Sequence, residues 1–205
     1  MADFYKTGLT DEWATLKGAA RLLVADIDTP FPSGISDIIE LASGASQYNA
    51  KTDWEDLGAT KGGVTISTNH TEETLSVDQV FGDIASSPTS WEASVQTALA
   101  EMTLEHLQLV WEGSDITTNG AGERVIGYGQ SDEYTQRRLA VLFKNPKTDK
   151  VRATVIRIAQ LQPVESSIVF NREGDQMTIP VQFKALADTS ITDPKQRFFM
   201  TFEQA

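Results

Sequence analysis

The stretch TDWEDLGATKGGVTISTNHTEETLSVDQVFGDI (residues 52–84) joins an acidic, glycine-punctuated segment to a run of alternating residues. Gly58, Gly62 and Gly63 bracket Ala59-Thr60-Lys61, which superficially suggests a phosphate loop. Such a loop needs a lysine directly after its second glycine, followed by Ser or Thr, and neither is present. The residues after Gly63 have the period of a strand: Val64, Ile66 and Thr68 fall on one face, Thr65 and Ser67 on the other. Residues 69–74 (NHTEET) read as a turn, and residues 74–80 (TLSVDQV) as a return strand with Leu75 and Val77 sharing a face. The expected product is a long hairpin with an acidic, polar side.

Strand signals continue outward from it. Residues 90–101 (SWEASVQTALAE) place Trp91, Ala93, Val95, Thr97 and Leu99 on one face, and on that reading Trp91 is a core residue. The period then changes. Thr103 suits a helix N-cap, Glu105 sits in the first turn, Leu104, Leu107 and Trp111 form a stripe, and Gly113 closes a helix of about residues 103–112. Upstream, residues 19–28 form a first strand broken by TPFPSG, while residues 36–44 fit either a short helix or a buried strand. Downstream, residues 137–161 and 166–188 read as two hairpins, turning at KNPKTDK and REGD, and RFFMTFEQA as a last strand. Pro180 marks an edge or a bulge. Long loops are expected at about 44–56 and 114–134, the latter with a short strand at 124–128. The sum is about eight or nine strands and one helix, a mainly β protein built as an antiparallel β-sandwich or partly open barrel with one flanking helix. Residues 1–18 form an N-terminal arm and 19–205 a single domain.

Composition limits the function. The chain has 205 residues, 40% hydrophobic and 22% charged, long enough for a sizeable core. A net charge of −12 argues against sequence-independent nucleic-acid binding, which depends on neutralising phosphates, and against an anionic membrane surface as partner. With zero cysteines there is no disulfide, no thiolate metal site and no cysteine nucleophile. No signal-peptide core is evident in MADFYKTGLTDEWATLKG, so a cytoplasmic site of synthesis is expected.

Candidate chemistry is sparse. His106 at the helix start reads as a capping or surface residue, and His70 beside Glu72 and Glu73 as part of a solvated hairpin tip. The carboxylates at 26–28 and 53–56 lack the glycine and terminal glutamate of a calcium loop. No G-x-S-x-G is present. The expectation is therefore no enzyme, no cofactor and no metal site. A carbohydrate-binding module using Trp54 or Trp13, and a glycoside hydrolase or esterase, remain alternatives from other classes.

Several pieces in order resemble one family. Trp54, Leu57, Gly58 and Gly63 precede the hairpin, Val77-Asp78-Gln79 lie on the return strand, and Leu99-Ala100-Glu101 precede the helix. Phe183, Ala185, Leu186 and Asp188 complete the series near the C-terminus. In this order and spacing, over residues 17–202, the chain resembles the major tail tube proteins of long-tailed, non-contractile bacteriophages. The resemblance implies a tail-tube fold similar to that of type VI secretion tube proteins. It also implies hexameric rings stacked into a hollow tube that conducts double-stranded DNA, in a virion tail assembled in the bacterial cytoplasm. Implied partners are further copies of the chain, a tape measure protein, a tail terminator and distal tail or baseplate proteins, without membrane or cofactor. A contractile-tail or type VI tube subunit is the alternative within this class. No immunoglobulin-like domain is expected after Ala205.

Within that reading the acidic hairpin is a piece of wall. Six subunits giving four strands each make about 24 strands, a circumference of about 115 Å and a backbone diameter of at least ~37 Å, widened by strand tilt. Six chains carry 6 × −12 = −72 charges per ring, and an acidic lining would repel DNA and let it slide. Glu72, Glu73, Asp78 and Asp83 are the candidate lumen-facing acids. Phe4, Tyr5 and Trp13 are the candidate aromatic contacts of an inter-subunit arm.

Overall fold

A computed structural model describes residues 20–40, 49–76, 83–101, 103–145, 150–162 and 178–204. Its strands are β1 (Ala20–Asp26), β2 (Ile39–Glu40), β3 (Asn49–Ala50), β4 (Glu55–Asp56), β5 (Thr60–Ser76), β6 (Asp83–Leu99), β7 (Ser114–Thr118), β8 (Arg124–Tyr128), β9 (Gln136–Lys144), β10 (Val151–Gln162), β11 (Ile179–Leu186) and β12 (Phe199–Glu203). One α-helix, α1 (Leu104–Val110), accompanies them, so the protein is mainly β with one flanking helix. Every strand pair is antiparallel, and the main sheet runs β4-β1-β9-β10-β11-β6-β5.

The two ends of that order are one continuous segment. Asp56 pairs with Leu23 of β1, and the Leu57 N–H donates to the Leu22 carbonyl. A few residues on, the Ala100 N–H donates to the Ala59 carbonyl and Thr60 pairs with Leu99 of β6. Residues 55–60 thus cross from one end of the strand order to the other and close the wall into a barrel, while β5 keeps an outer edge without a strand partner among the described residues. Gly58 makes the crossing at φ +74°, a left-handed conformation that costs glycine little.

The strand sequences explain which walls are covered on both sides. β1 and β9 carry the unbroken apolar runs Leu22-Leu23-Val24-Ala25 and Leu139-Ala140-Val141-Leu142, all buried. Runs without alternation suit a strand packed on both faces. One face (Leu22, Val24, Leu139, Val141) points into the barrel with Val95, Leu99 and Phe183. The other (Leu23, Ala25, Ala140, Leu142) packs outward under Ile35, Ile38, Ile39 and Trp54. β11 alternates instead: Ile179, Val181, Phe183 and Ala185 are buried, while Pro180, Gln182, Lys184 and Leu186 are half-buried on the other face. Among the described residues its outer face has no second layer of buried apolar side chains.

β10 connects the two regimes. Val151, Ala153 and Val155 belong to the outer cluster, whereas Ile156 and Ala159 belong to the barrel interior. A register shift between Ile156 and Ala159 makes the switch by changing which side chains face inward. Before the shift β10 pairs with β12, and after it with β11. Arg157 lies at the shift with its guanidinium 3.8 Å from the Phe31 ring centroid and Nε donating to the Gln196 carbonyl at 2.6 Å. These contacts satisfy a buried cation at the point where the strand bends.

Several sequence expectations are corrected. Residues 69–74 are not a turn: they lie inside β5, which runs unbroken to Ser76 and pairs with β6 back to Asp83. The loop of 114–134 is largely the β7–β8 hairpin, turning at Asn119–Glu123. In α1 the Thr103 cap is as expected, its Oγ1 accepting from the His106 N–H at 3.2 Å. The buried side is His106, Leu109 and Val110 rather than the Leu104-Leu107-Trp111 stripe, which is half-buried. His106 is a buried residue whose Nδ1 donates to the Glu101 carbonyl at 3.0 Å. Pro180 pairs with Ala98 of β6, while the β10 pairing on its other side extends only to Gln182 among the described residues. Its missing N–H therefore falls at a local edge. The hairpin turn expected at REGD (172–175) lies outside the described residues.

Candidate functional site

Among the described residues, β5 and β6 form a long two-stranded ribbon without further strand partners over most of its length. β11 accompanies β6 only over Ala93–Leu99. From Ala93 back to Asp83, at ~3.3 Å per residue, the ribbon projects roughly 33 Å beyond the barrel. Its sequence explains the exposure: Thr, Ser, Asn, His and Glu on β5 face Ser, Pro and Thr on β6, with no apolar stripe for a core to cover. Both strands are exposed throughout this part. Both outer backbone edges lack a strand partner among the described residues, leaving rows of N–H and C=O groups open for pairing.

Large apolar side chains nonetheless sit on it. Leu75 is 60% exposed, Ile84 52% and Trp91 57%. Trp91 follows the alternation of 93–99 correctly, but the barrel ends at Ala93, so its face continues into solvent rather than into a core. There its ring stacks on His70, centroids 4.9 Å apart. His70 Nε2 lies 2.7 Å from Glu72 Oε1, and Ser86 Oγ donates to Glu72 Oε2 at 2.7 Å. The Ser86 hydroxyl first, and His70 next, hold the Glu72 carboxyl below the usual glutamate range.

Cross-strand pairing sorts the candidate acids. Residues directly opposite share a face, and successive residues face opposite sides. Glu72 shares the face of His70 and Trp91, and Asp83 joins it by pairing with Ser76. Glu73, opposite Ser87, points the other way. Asp78 lies outside the described residues, as do Phe4, Tyr5 and Trp13.

On the Glu73 side the ribbon runs into the outer face of the sheet β10-β11-β6-β5. Two rows cross all four strands: Gln162-Gln182-Gln96-Thr65 and Gln160-Lys184-Ser94-Ser67. Gln182 Nε2 donates to Gln162 Oε1 at 2.8 Å, and Lys184 Nζ lies 3.5 Å from Glu92 Oε1. The face is therefore polar, amide-rich and locally close to neutral. Sequence reasoning missed it because its residues come from three distant segments, although the alternation of β11 and β6 gave each outward position.

Other candidate chemistry is occupied by structure. Trp54 is 5% exposed inside the outer cluster, so it offers no platform for a sugar. Asp56 receives Arg21, and Asp26 Oδ1 accepts the Asp28 N–H at 3.2 Å. Among the described residues no group of three or more His, Asp or Glu is placed to hold a metal, and no helix is long and apolar enough to cross a membrane. No family model and no curated protein matches this chain in sequence.

Proposed function

We propose that this chain is the structural subunit of a tail tube of the long-tailed phage type, forming rings that stack into a hollow conduit for double-stranded DNA. The observation that carries the reading is the four-stranded sheet β10-β11-β6-β5. One face packs the barrel; among the described residues the other is polar and uncovered, and β5 ends the sheet in an open edge. An open edge next to a free face is what a subunit needs to continue its sheet into a neighbour. Four strands from each of six copies give a bore of ~37 Å across the backbone. An isolated eight-stranded barrel of the same spacing would have its interior filled by side chains.

In this arrangement the two polar rows line the bore. Lys184 lies 3.5 Å from Glu92, so these two rows present amides, hydroxyls and one paired cation, and passing DNA finds no row of phosphate-binding groups along them. Of the candidate acids in the described residues, Glu73 belongs to the lining, while Glu72 and Asp83 belong to the opposite ribbon face with Trp91 and serve contacts between copies. The ribbon extends the wall along the tube and offers exposed Trp91 to a neighbouring copy on the Glu72 face, while exposed Leu75 lies on the Glu73 face.

The test is a chain in which residues 69–90 are replaced by a short Gly-Ser turn. The barrel, whose buried residues among those described all lie outside this segment, is expected to melt cooperatively as in the full chain. Sedimentation is expected to show monomers where the full chain forms rings or tubes. Equal ring formation by both chains would contradict the reading.

A further inference from the structure

The foot of β5 lies beside the start of β1. Val24 pairs with Glu55 and Leu23 with Asp56, and the Leu57 N–H donates to the Leu22 carbonyl. Two residues before Leu22 stands Ala20, the first described residue, and three after Leu57 the chain enters β5 at Thr60. β1 and β5 are in direct contact. Continued upstream, β1 would run antiparallel along β5, on the side that β6 does not use.

The two edges of the ribbon differ in what they can accept. Beyond Ala93, β6 carries Pro88, which has no N–H to donate, and an irregular register beside it. Thr60–Ser76 holds no proline, and its outer edge has no strand partner among the described residues. Along β5, Val64 is half-buried against the barrel interior and Ile66 is 39% exposed, an apolar pair that one more strand would cover.

The place where the chain begins selects the occupant. Residues 1–19 contain no proline, so each can donate its N–H, and Tyr5, Thr7, Thr10, Trp13 and Thr15 are residue types that favour strands. Extended, this segment reaches about 60 Å, against about 55 Å for β5. Strand alternation puts Leu16 on the side of Ala20, which packs on the same interior cluster as Val64. A segment tethered at the foot of the edge acts at an effective concentration on the order of 1 mM, roughly a thousand-fold above a second copy at micromolar concentration.

We propose that in the single chain residues 5–19 extend β1 and pair antiparallel with the outer edge of β5. On the tube reading, which this step rests on, the same edge continues into a neighbouring copy. The segment then keeps single chains from pairing prematurely, leaves the edge as a ring closes, and is free to hold another copy.

The test is made on isotope-labelled protein, diluted until sedimentation shows single chains. Among Ser67–Thr74, the amides that point away from β6 are expected to exchange about ten-fold more slowly in the full chain than in a chain lacking residues 2–14. Because the sequence has no cysteine, Thr10→Cys carries a single nitroxide in the full chain, expected to broaden the amides of Ser67–Glu73 and to leave those of α1 sharp. Equally fast exchange in both chains, or broadening centred away from β5, would overturn the pairing. Protection that survives the deletion, or that grows with protein concentration, would overturn it as well and make a second copy the occupant. If rings never form, the tube reading fails by itself, and exchange and broadening still decide the pairing.

Discussion

Trp91→Ala separates folding from assembly. The indole is 57% exposed, so of the ~250 Å² that a tryptophan can bury, roughly 140 Å² is still in water in the single chain. Covering that area against a neighbour at about 25 cal/mol per Å² is worth about 3.5 kcal/mol per subunit. At about 1.4 kcal/mol per decade, its loss raises the concentration needed for assembly by a few hundred-fold. The isolated fold should register only the lost stack on His70, about 0.5–1.5 kcal/mol at most. Two assays distinguish these effects: urea unfolding of the monomer and light scattering against concentration. A variant that assembles at the wild-type concentration refutes the assignment of the Trp91 face to a contact between copies. One that unfolds several kcal/mol more easily refutes the claim that Trp91 lies outside the core.

Phe183→Ala removes one of the largest fully buried side chains of the barrel interior and is expected to cost about 3–5 kcal/mol in urea unfolding. Gly113 has φ +84°, and a Cβ there would lie 2.7 Å from the Ser131 backbone nitrogen. Gly113→Ala is therefore expected to cost at least ~1–2 kcal/mol, measured the same way, with the shift of backbone adding to the left-handed strain. For Glu112 burial lifts the folded carboxyl above its unfolded value, so wild-type stability falls as pH rises from the unfolded toward the folded pKa. Monomeric Glu112→Gln should lack that fall, and its stability relative to wild type should increase between acid and neutral pH; a constant difference across that range would contradict the burial argument. Deleting residues 2–14 is expected to give soluble subunits that do not polymerise, and unchanged tube yield would count against the arm.

Burial makes much of the fold legible. Alternation in Ile179-Pro180-Val181-Gln182-Phe183-Lys184-Ala185 reports a strand with one free face, and the apolar run at 139–142 reports one covered twice. Thr103 marks the helix start because its cap chemistry is local. The ribbon is misread for the same reason that the barrel is readable. Asn69 to Thr74 resemble a turn in composition, and nothing buried beneath them fixes a period, so only pairing with residues 86–92 reveals a strand. Alternation puts Trp91 on the correct face but in the wrong medium, because it does not say where a barrel ends. The closure at residues 55–60 joins segments far apart in sequence, and no local signal marks it.

Electron microscopy of the purified chain, negatively stained across a wide range of concentration, tests the tube reading most directly. Hollow rings or stacked tubes are expected, with a bore compatible with a wall of about 24 strands and a backbone diameter of at least ~37 Å. Compact single-chain particles at every concentration, or fibrils without a bore, would contradict it.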